Sequence, residues 1–294
     1  MTGRTPDRPY GAELGLPSGP YGRIARVARN RAAGWNNVGR QTQFYATTLR
    51  STGDALINYK VEVVRLIAQM SLGTGAMILF GGTVVVVGFL VLAAGTLTGQ
   101  GGWDILQGIG IEALMGFLGA FVNVRIVAPL IATVALTATI GAGATAQLGA
   151  MRINEEIDAL EVIGVRSIAF LASSRVIAGV VVVIPLYCIA LLMAFLGLRS
   201  VALLYGQSPG VYSHYFTTFL NPMDVVWSLV VVVLTGVVVM LIHTYYGYTA
   251  SGGPAGVGEA VGRAVRASLV VTIFVVLFSA LAIYGAHGSF EFSG

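Results

Sequence analysis

The feature that most constrains this chain is a series of long runs without a charged residue. Residues 72–94 read LGTGAMILFGGTVVVVGFLVLAA, and residues 176–198 and 267–286 are also uncharged. A helix rises about 1.5 Å per residue, so about 20 residues cross the hydrocarbon core of a bilayer. These runs therefore predict an all-α integral membrane protein.

Composition supports membrane insertion and narrows the function. Hydrophobic residues make up 56% of the chain and charged residues only 10%, whereas soluble domains carry about 25% charged residues. A soluble α/β core would be left with too little polar surface. No basic run alternates with aromatic residues, so we expect no nucleic-acid partner. The single cysteine, Cys188, excludes an internal disulfide, and residues 1–43 lack the apolar core of a signal peptide.

Five spans are predicted, and the second is the least regular. Glu112 and Arg125 interrupt its first part, and Pro129 follows them, so we expect a broken start before an uncharged run. A glycine-rich loop is expected at 95–104, and polar connections at 199–224 and 247–266. The predicted spans are 72–94, the later part of 105–151, 176–198, 225–246 and 267–286.

Residues 43–70 repeat apolar side chains at spacings of three, four and seven, as an amphipathic helix does. Beside a membrane span, such a helix is expected to lie in the interface with its apolar face toward lipid. The alternative is an ordinary amphipathic helix packed on a protein core. The chain is accordingly divided into a basic flexible tail (1–42), an interfacial amphipathic helix (43–71), a five-span domain (72–286) and a short external tail (287–294).

Arginine and lysine residues predict the orientation. Ten of the 17 lie before the first span, and five more flank or occupy the connections at 151–175 and 247–266. Only Arg125 and Arg199 remain for the other side or for the membrane. Cytoplasmic loops carry the excess of these residues. The N-terminus is therefore predicted to be cytoplasmic and the C-terminus external.

A short acidic segment, MRINEEIDALEVIGV, occupies one of the predicted cytoplasmic connections at residues 151–165. Asn154 is a suitable residue to cap a helix, and Glu155 and Glu156 would then lie in its first turn, where the helix dipole favours acids. Gly164 is suited to end the helix in a left-handed conformation. The segment is either a solvated interfacial helix or a docking helix for a cytoplasmic partner.

The segment 151–165 resembles the signature of the MlaE/YrbE permeases, the membrane subunits of bacterial lipid-transporting ABC systems. A second stretch, GGPAGVGEAVGRAV at 252–265, is similar to that family's Gly-Gly-x-x-Gly-Val-Gly sequence before its last span. The arginine-rich tail and the form of the motifs look most like the YrbE permeases of actinobacterial Mce systems. The resemblance covers about residues 43–286.

The resemblance implies that 153–165 is a coupling helix seated in a separate ABC-type ATPase, which would bind ATP and Mg²⁺. The chain itself would bind no cofactor and would be a non-catalytic, multi-pass subunit in the bacterial inner membrane, with a periplasmic C-terminus. It would import a lipid or a fatty-acid-like molecule beneath periplasmic Mce-domain proteins. The implied coupling residues are Glu155, Glu156, Ile157, Asp158, Leu160, Glu161 and Gly164. The implied cytoplasmic loop motif is Gly252, Gly253, Gly256 and Gly258.

Departures from the family pattern affect the expected assembly. An Arg-Glu-Leu-Gly-Pro-like segment of the family corresponds to 125–129 here, which reads RIVAP and lacks the acid. Ile140 and Val231 stand where the family often has an arginine and a lysine. We therefore expect a heterodimer with a homologous permease that carries the polar groups. Arg125 is a possible polar contact between the two subunits.

Other chemistries find little support. No phosphate-binding Gly-x-x-x-x-Gly-Lys-Ser/Thr sequence is present. His214, His243 and His287 are far apart, so no metal site is expected, and His243 is expected to join an aromatic belt at the interface. The alternatives are an intramembrane lipid-modifying enzyme, which would need paired acids or histidines, and an ion-coupled secondary transporter, which would need ionisable groups at the midplane.

Overall fold

A computed structural model of the chain describes residues 38–72 and 82–284, and those two ranges are helical with short connections and no β-strand. The chain divides into two units, Met1–Ala46 and Thr47–Gly294, and the described part of the first is helical. The two predicted tails lie almost wholly outside the described residues. After a helical stretch at 38–50, the helices are α1 (Thr52–Asn58), α2 (Lys60–Leu72), α3 (Gly82–Gly108), α4 (Glu112–Ile153), α5 (Glu156–Val162), α6 (Ile168–Leu204), α7 (Pro209–Phe219), α8 (Pro222–Tyr248) and α9 (Gly253–Tyr284).

Five of these helices, α3, α4, α6, α8 and α9, are long and apolar enough to cross a membrane, which confirms the all-α integral membrane fold. Half of the residues in the apolar windows of α4, α6 and α8 are buried, against 28% in α3 and 17% in α9. Helices α4, α6 and α8 therefore form the centre of the bundle. Helices α3 and α9 lie at its sides and turn most of their apolar surface outward.

The predicted glycine-rich loop at 95–104 is wrong, because those residues continue α3 as far as Gly108. The glycines allow α3 to approach α6. A Cβ atom on Gly95 would lie 2.6 Å from the carbonyl oxygen of Ala194, and one on Gly197 would lie 2.6 Å from that of Leu92. In a membrane, small residues at a helix contact add van der Waals contact between backbones. Part of the predicted first span, residues 73–81, lies outside the described residues.

Helix α4 runs for 42 residues, so the predicted break near Pro129 does not occur. It begins with a tight 3₁₀ turn at Glu112–Leu114 and contains wider π-helical turns at Leu118–Val127 and Thr137–Gly141. Pro129 follows the first of these wide turns directly. In a π-helical turn the amide groups are already shifted from their regular carbonyl partners. The amide donor that proline lacks therefore disturbs the helix less at this position.

The connections are shorter than the sequence suggested. Helix α9 begins at Gly253, so most of the predicted polar connection 247–266 is helical. The predicted loop after Arg199 contains helix α7, whose Tyr212 packs in a cluster with Trp103, Met115 and Leu198. Burial raises the pKa of the Tyr212 hydroxyl to about 12. Helix α8 begins three residues before the predicted span: Asn221 accepts a hydrogen bond from the amide of Met223 at 2.9 Å, and Pro222 is the first helical residue.

The predicted amphipathic helix 43–71 is interrupted at Ser51 and at Tyr59, which separate α1 from its neighbours. A set of α1 and α2 side chains is buried against the chain: Ala55, Val63, Leu66 and Met70. On another face Ile57, Val61 and Val64 are 65–77% exposed and follow a helical spacing of four and three residues. This exposed apolar stripe is typical of a helix that lies in a membrane interface.

We expect Gly95→Ala to lower the stability of the bundle by about 1–3 kcal/mol, because its methyl group would collide with backbone rather than with a movable side chain. Gly101→Ala is the matched control on α3, since nothing lies within 4 Å of a Cβ atom there. It should raise the stability slightly, by at most about 1 kcal/mol, because alanine favours a helix more than glycine does. Thermal unfolding in detergent measures both, and equal effects would show that α3 does not contact α6 at Gly95.

Candidate functional site

The acidic segment forms a seven-residue helix, α5, between the ends of α4 and α6. It begins later than predicted. Asn154 does not cap it, because α4 continues to Ile153 and the Asn154 amide donates to the carbonyl of Ala150 at 3.0 Å. Glu155 then turns the chain in a left-handed conformation, with φ of 61°. A non-glycine residue there is uncommon, and it allows α5 to leave the axis of α4 within two residues.

The other end of α5 is closed by Gly164, whose φ of 83° is the left-handed conformation that the sequence indicated. The amide of Gly164 donates to the carbonyl of Glu161, and that of Val165 to the carbonyl of Leu160, both at 3.0 Å. This pair of bonds is the Schellman motif, which satisfies the last carbonyl groups of a helix. Both ends of α5 are therefore sharply defined.

One face of α5 packs on the chain itself. Ile157 is fully buried in a cluster with Leu148 of α4 and Leu171 of α6, and Leu160 and Tyr248 pack against it. Complete burial of an isoleucine side chain contributes about 1.5–3 kcal/mol. Ile157 thus anchors α5 to the bundle and does not face outward.

The four acids of the segment 151–165 differ in their surroundings. Asp158 makes an ion pair with Arg152 at 2.6 Å. Glu161 accepts hydrogen bonds from the Ser167 hydroxyl at 2.5 Å and the Tyr248 hydroxyl at 3.1 Å. Glu155 and Glu156 are exposed. All four acids are exposed, and Asp158 and Glu161 also bind other parts of the chain.

Two apolar residues at the end of α5 are exposed: Val162 is 87% exposed and Ile163 is 73% exposed. Sequence reasoning missed them as surface residues. The signal was present, because five residues at 100° each place Val162 about 140° around the helix from Ile157. An exposed apolar pair outside the membrane-spanning helices is typical of an interaction surface.

The glycine motif at 252–258 begins α9, beside the same end of the bundle. Gly252 and Gly253 have φ of 91° and 72°, which L side chains rarely adopt. A Cβ atom on Gly256 would collide with the carbonyl of Ser251, whereas nothing lies within 4 Å of one on Gly258. The first three glycines are explained by the turn into α9, and the space around Gly258 leaves room for another chain.

A second polar site lies at the opposite end of the bundle. The Arg125 guanidinium donates to one carboxylate oxygen of Asp224, from Nη2 at 2.7 Å and from Nε at 3.0 Å. It also stacks over the ring of Phe121, with 3.7 Å between Cζ and the ring centroid. Sequence reasoning singled out Arg125 but missed Asp224, although an acid in the first turn of a span is the natural partner of an arginine inside a membrane. Its predicted contact with another subunit stays a prediction.

Arg125 and Phe121 also line a cavity of about 320 Å³ between α4 and α9. The rest of its wall is aliphatic, formed by Val122, Ile126, Leu277, Ala280 and Leu281. Small-molecule sites are typically this large or larger, with mostly apolar walls and a few polar groups. The cavity suits the apolar part of an amphiphile, with a charged pair at its margin.

His243 is a correction to the sequence analysis, because it is fully buried in α8 and does not join an interfacial belt. Its Nδ1 atom lies 2.7 Å from the Thr145 hydroxyl, and a Cβ atom on Gly141 would lie 2.6 Å from its ring. The histidine therefore fills a gap between α4 and α8. Within residues 38–72 and 82–284, no three His, Cys, Asp or Glu side chains are grouped to hold a metal.

Comparison with known families decides the class of protein. Residues 73–282 match the family model described as permease MlaE. The chain belongs to the MlaE permease family. The match covers all five spans, α5 and the glycine motif, so both sequence motifs lie inside the family domain.

Individual relatives agree with this MlaE assignment. The chain is 31% identical over 172 residues to protein trigalactosyldiacylglycerol 1, chloroplastic, of Arabidopsis thaliana. It is 31% identical over 167 residues to a probable ABC transporter permease protein of Rickettsia bellii, and 31% over 155 residues to one of Synechocystis. The aligned parts are 58%, 53% and 52% of this chain, and 49%, 61% and 59% of those relatives. This MlaE-family chain thus spans about half the length of the Arabidopsis protein and about three fifths of the bacterial ones.

We expect Arg125→Met to destabilise this MlaE-family chain by about 2–4 kcal/mol, because it leaves the largely buried carboxylate of Asp224 without its cation. The double variant Arg125→Met/Asp224→Asn should recover at least about 1 kcal/mol of that loss. Thermal unfolding in detergent measures the cycle. Arg199→Met, at an exposed arginine of α6, is the matched control and should change little. A double variant no more stable than Arg125→Met would show that the pair does not stabilise the chain.

Proposed function

We propose that this chain is the membrane subunit of an ATP-driven bacterial lipid transporter, and that a separate ABC-type ATPase drives it through the segment 153–165. The observation that carries the proposal is the anchoring of α5 by the buried Ile157, which leaves the pair Val162 and Ile163 exposed. Exposed apolar side chains on an anchored helix supply the well-packed centre that protein interfaces need. If residues 153–165 were disordered, a push from the ATPase would not reach the membrane-spanning helices.

The proposed coupling residues have two roles. Glu155 and Glu156 form the polar rim of the docking surface, beside Val162 and Ile163 at its centre. Ile157 and Leu160 hold α5 on the bundle, Asp158 and Glu161 bind neighbouring helices, and Gly164 ends the helix.

Gly252, Gly253 and Gly256 shape the adjacent turn, and Gly258 leaves space beside it. A push on α5 is thus passed to the ends of α4 and α6.

The chain itself is proposed to be non-catalytic and to bind no cofactor, with ATP and Mg²⁺ held by the partner ATPase. Its place would be the inner membrane of a bacterium, with α5 and the N-terminus in the cytoplasm and the C-terminus in the periplasm. The excess of arginine before the first span supports this orientation. Residues 43–71 would lie in the cytoplasmic interface, where the exposed stripe Ile57, Val61 and Val64 would meet lipid.

The proposed substrate is a lipid or a fatty-acid-like molecule. The cavity between α4 and α9 supports this choice, because its aliphatic wall suits an acyl chain and the Arg125–Asp224 pair suits a polar group at its margin. The name of the Arabidopsis relative refers to trigalactosyldiacylglycerol, a lipid. Import, with periplasmic Mce-domain proteins above the permease, rests on the resemblance to YrbE permeases alone.

We further propose a heterodimer with a homologous permease. Helix α9 supports it by leaving four large apolar residues exposed on one face, outside the cavity: Val270, Ile273, Phe274 and Phe278. Ile140 and Val231 are both buried, so the polar groups that the family often carries at those positions would come from the paralogue. Recovery of this chain as the sole permease in the purified complex would refute the heterodimer.

The double variant Val162→Glu/Ile163→Glu should reduce co-purification of the ATPase at least about tenfold, because it puts two carboxylates at the centre of the interface. The amount of permease in the membrane should not change, since both residues are exposed. Leu204→Glu is the matched control, because Leu204 is 85% exposed at the other end of α6. Unchanged ATPase recovery from the double variant would contradict the docking surface. Transport without the ATPase would favour the enzyme or the ion-coupled transporter.

Leu281→Trp should displace bound lipid, because the larger ring would fill part of the cavity between α4 and α9. Mass spectrometry of the chain purified in mild detergent should detect at least about threefold less bound lipid. A threefold loss corresponds to a reduction in binding free energy of under about 1 kcal/mol. Leu192→Trp is the control, at an exposed leucine of α6 that does not line the cavity. Equal lipid in both variants would place the lipid elsewhere.

A further inference from the structure

Three polar side chains from separate parts of the chain meet where α5 contacts the bundle. The Oε1 atom of Glu161 accepts from the Ser167 hydroxyl at 2.5 Å and from the Tyr248 hydroxyl at 3.1 Å. The two hydroxyl oxygens are 2.8 Å apart. Glu161 belongs to α5, Ser167 precedes α6, and Tyr248 is the last residue of α8. One carboxylate oxygen therefore connects α5 with two membrane-spanning helices.

The Tyr248 side chain is held at both of its ends. Its ring packs against the apolar cluster that contains the buried Ile157. Its hydroxyl reaches past that cluster to Glu161, so the ring and the hydroxyl both contact α5. A tyrosine buries an apolar body and keeps a polar tip for one directed bond. Movement of α5 would therefore displace Tyr248 through packing and through a hydrogen bond.

Helix α8 differs from the other helices around α5. Helices α4 and α6 are joined to α5 by short stretches of chain, whereas Tyr248 is 87 residues from Glu161 in sequence. The other end of α8 carries Asp224, in its first turn, which binds Arg125 at the margin of the cavity. The whole helix is 27 residues long, a length of about 40 Å. Helix α8 thus has one polar contact at α5 and another at the cavity.

We infer that the Tyr248 hydroxyl, held by Glu161 and Ser167, is a positioning group that passes movement of α5 along α8 to the Arg125–Asp224 pair. The inference rests on the proposed role of α5 as the ATPase contact. A shift of α8 along its axis changes the position of Asp224, and Arg125 follows because two of its nitrogens bind that carboxylate. The margin of the cavity then changes in step with the ATPase. Removal of the hydroxyl keeps the packing and loses the directed contact.

The test uses the complete complex of permease and ATPase in lipid nanodiscs, and its probe is ATP with vanadate. Ile126, which lines the cavity, is replaced by cysteine and labelled with a polarity-sensitive fluorophore in a Cys188→Ser background. The parent complex should change fluorescence when ATP and vanadate are added. Tyr248→Phe should reduce that change about threefold to tenfold, which corresponds to the net contribution of one ordinary hydrogen bond. Recovery of the ATPase and the basal rate of ATP hydrolysis should stay unchanged.

Tyr246→Phe is the matched control. It lies two residues away on α8, contacts the Tyr245 ring, and its hydroxyl has no hydrogen bond to any part of the chain that the structure describes. It should respond like the parent. Ser167→Ala provides a second variant that keeps the tyrosine and should give a smaller reduction, so the inference stays testable if Tyr248→Phe fails to fold.

The outcomes separate this inference from the proposed function. A full fluorescence response in Tyr248→Phe, with ATPase bound, overturns the role of the hydroxyl and leaves the proposed function standing. Loss of the ATPase from that variant also overturns it, because Tyr248 would then support docking. A parent complex that recovers no ATPase refutes the proposed function, and this inference with it.

Discussion

The whole structure depends on the absence of polar partners in lipid, so that groups inside the bundle must be satisfied by the chain itself. Buried threonines of α4 and α8 donate to carbonyl groups one turn earlier in their own helices, as Thr133, Thr137, Thr235 and Thr244 do at 2.7–2.9 Å. Between helices, contact comes from small residues, as at Gly95 and Gly197, where α3 and α6 approach to backbone distance. Because close packing of small residues holds the helices together, the interior of the bundle needs few charged side chains.

The same constraint moves charged chemistry to the two ends of the bundle. At one end, Asp158 pairs with Arg152 and Arg166 pairs with Asp54, which joins α5 and its flank to α4 and α1. These exposed pairs contribute little stability, about 0–1 kcal/mol each. At the other end, Arg125 and Asp224 are mostly buried, where removal of one partner costs more.

Sequence periodicity and charge predicted the fold class, the number of spans and the position of α8, because each depends on length, apolarity and local capping. They failed at Gly95 and at residues 253–266, where glycine was taken as a sign of a loop. A glycine promotes a turn in water, but in a membrane bundle it also permits close helix contact, and only the position of the neighbouring helix distinguishes the two. The Arg125–Asp224 pair was missed for a similar reason, since its members are 99 residues apart and no local pattern connects them.

Helix α5 shows why local amphipathicity alone is a poor guide to which side chains are exposed. Its larger apolar face, around Ile157, is permanently buried on the bundle, and its smaller face, Val162 and Ile163, is exposed. This division of the two faces agrees with the coupling role that we propose for α5. The attachment to its own chain must survive every cycle, so it needs the greater buried area. A contact that is remade or strained as a partner changes shape needs fewer apolar groups with a polar rim, and the exposed Glu155 and Glu156 lie on the same short helical segment.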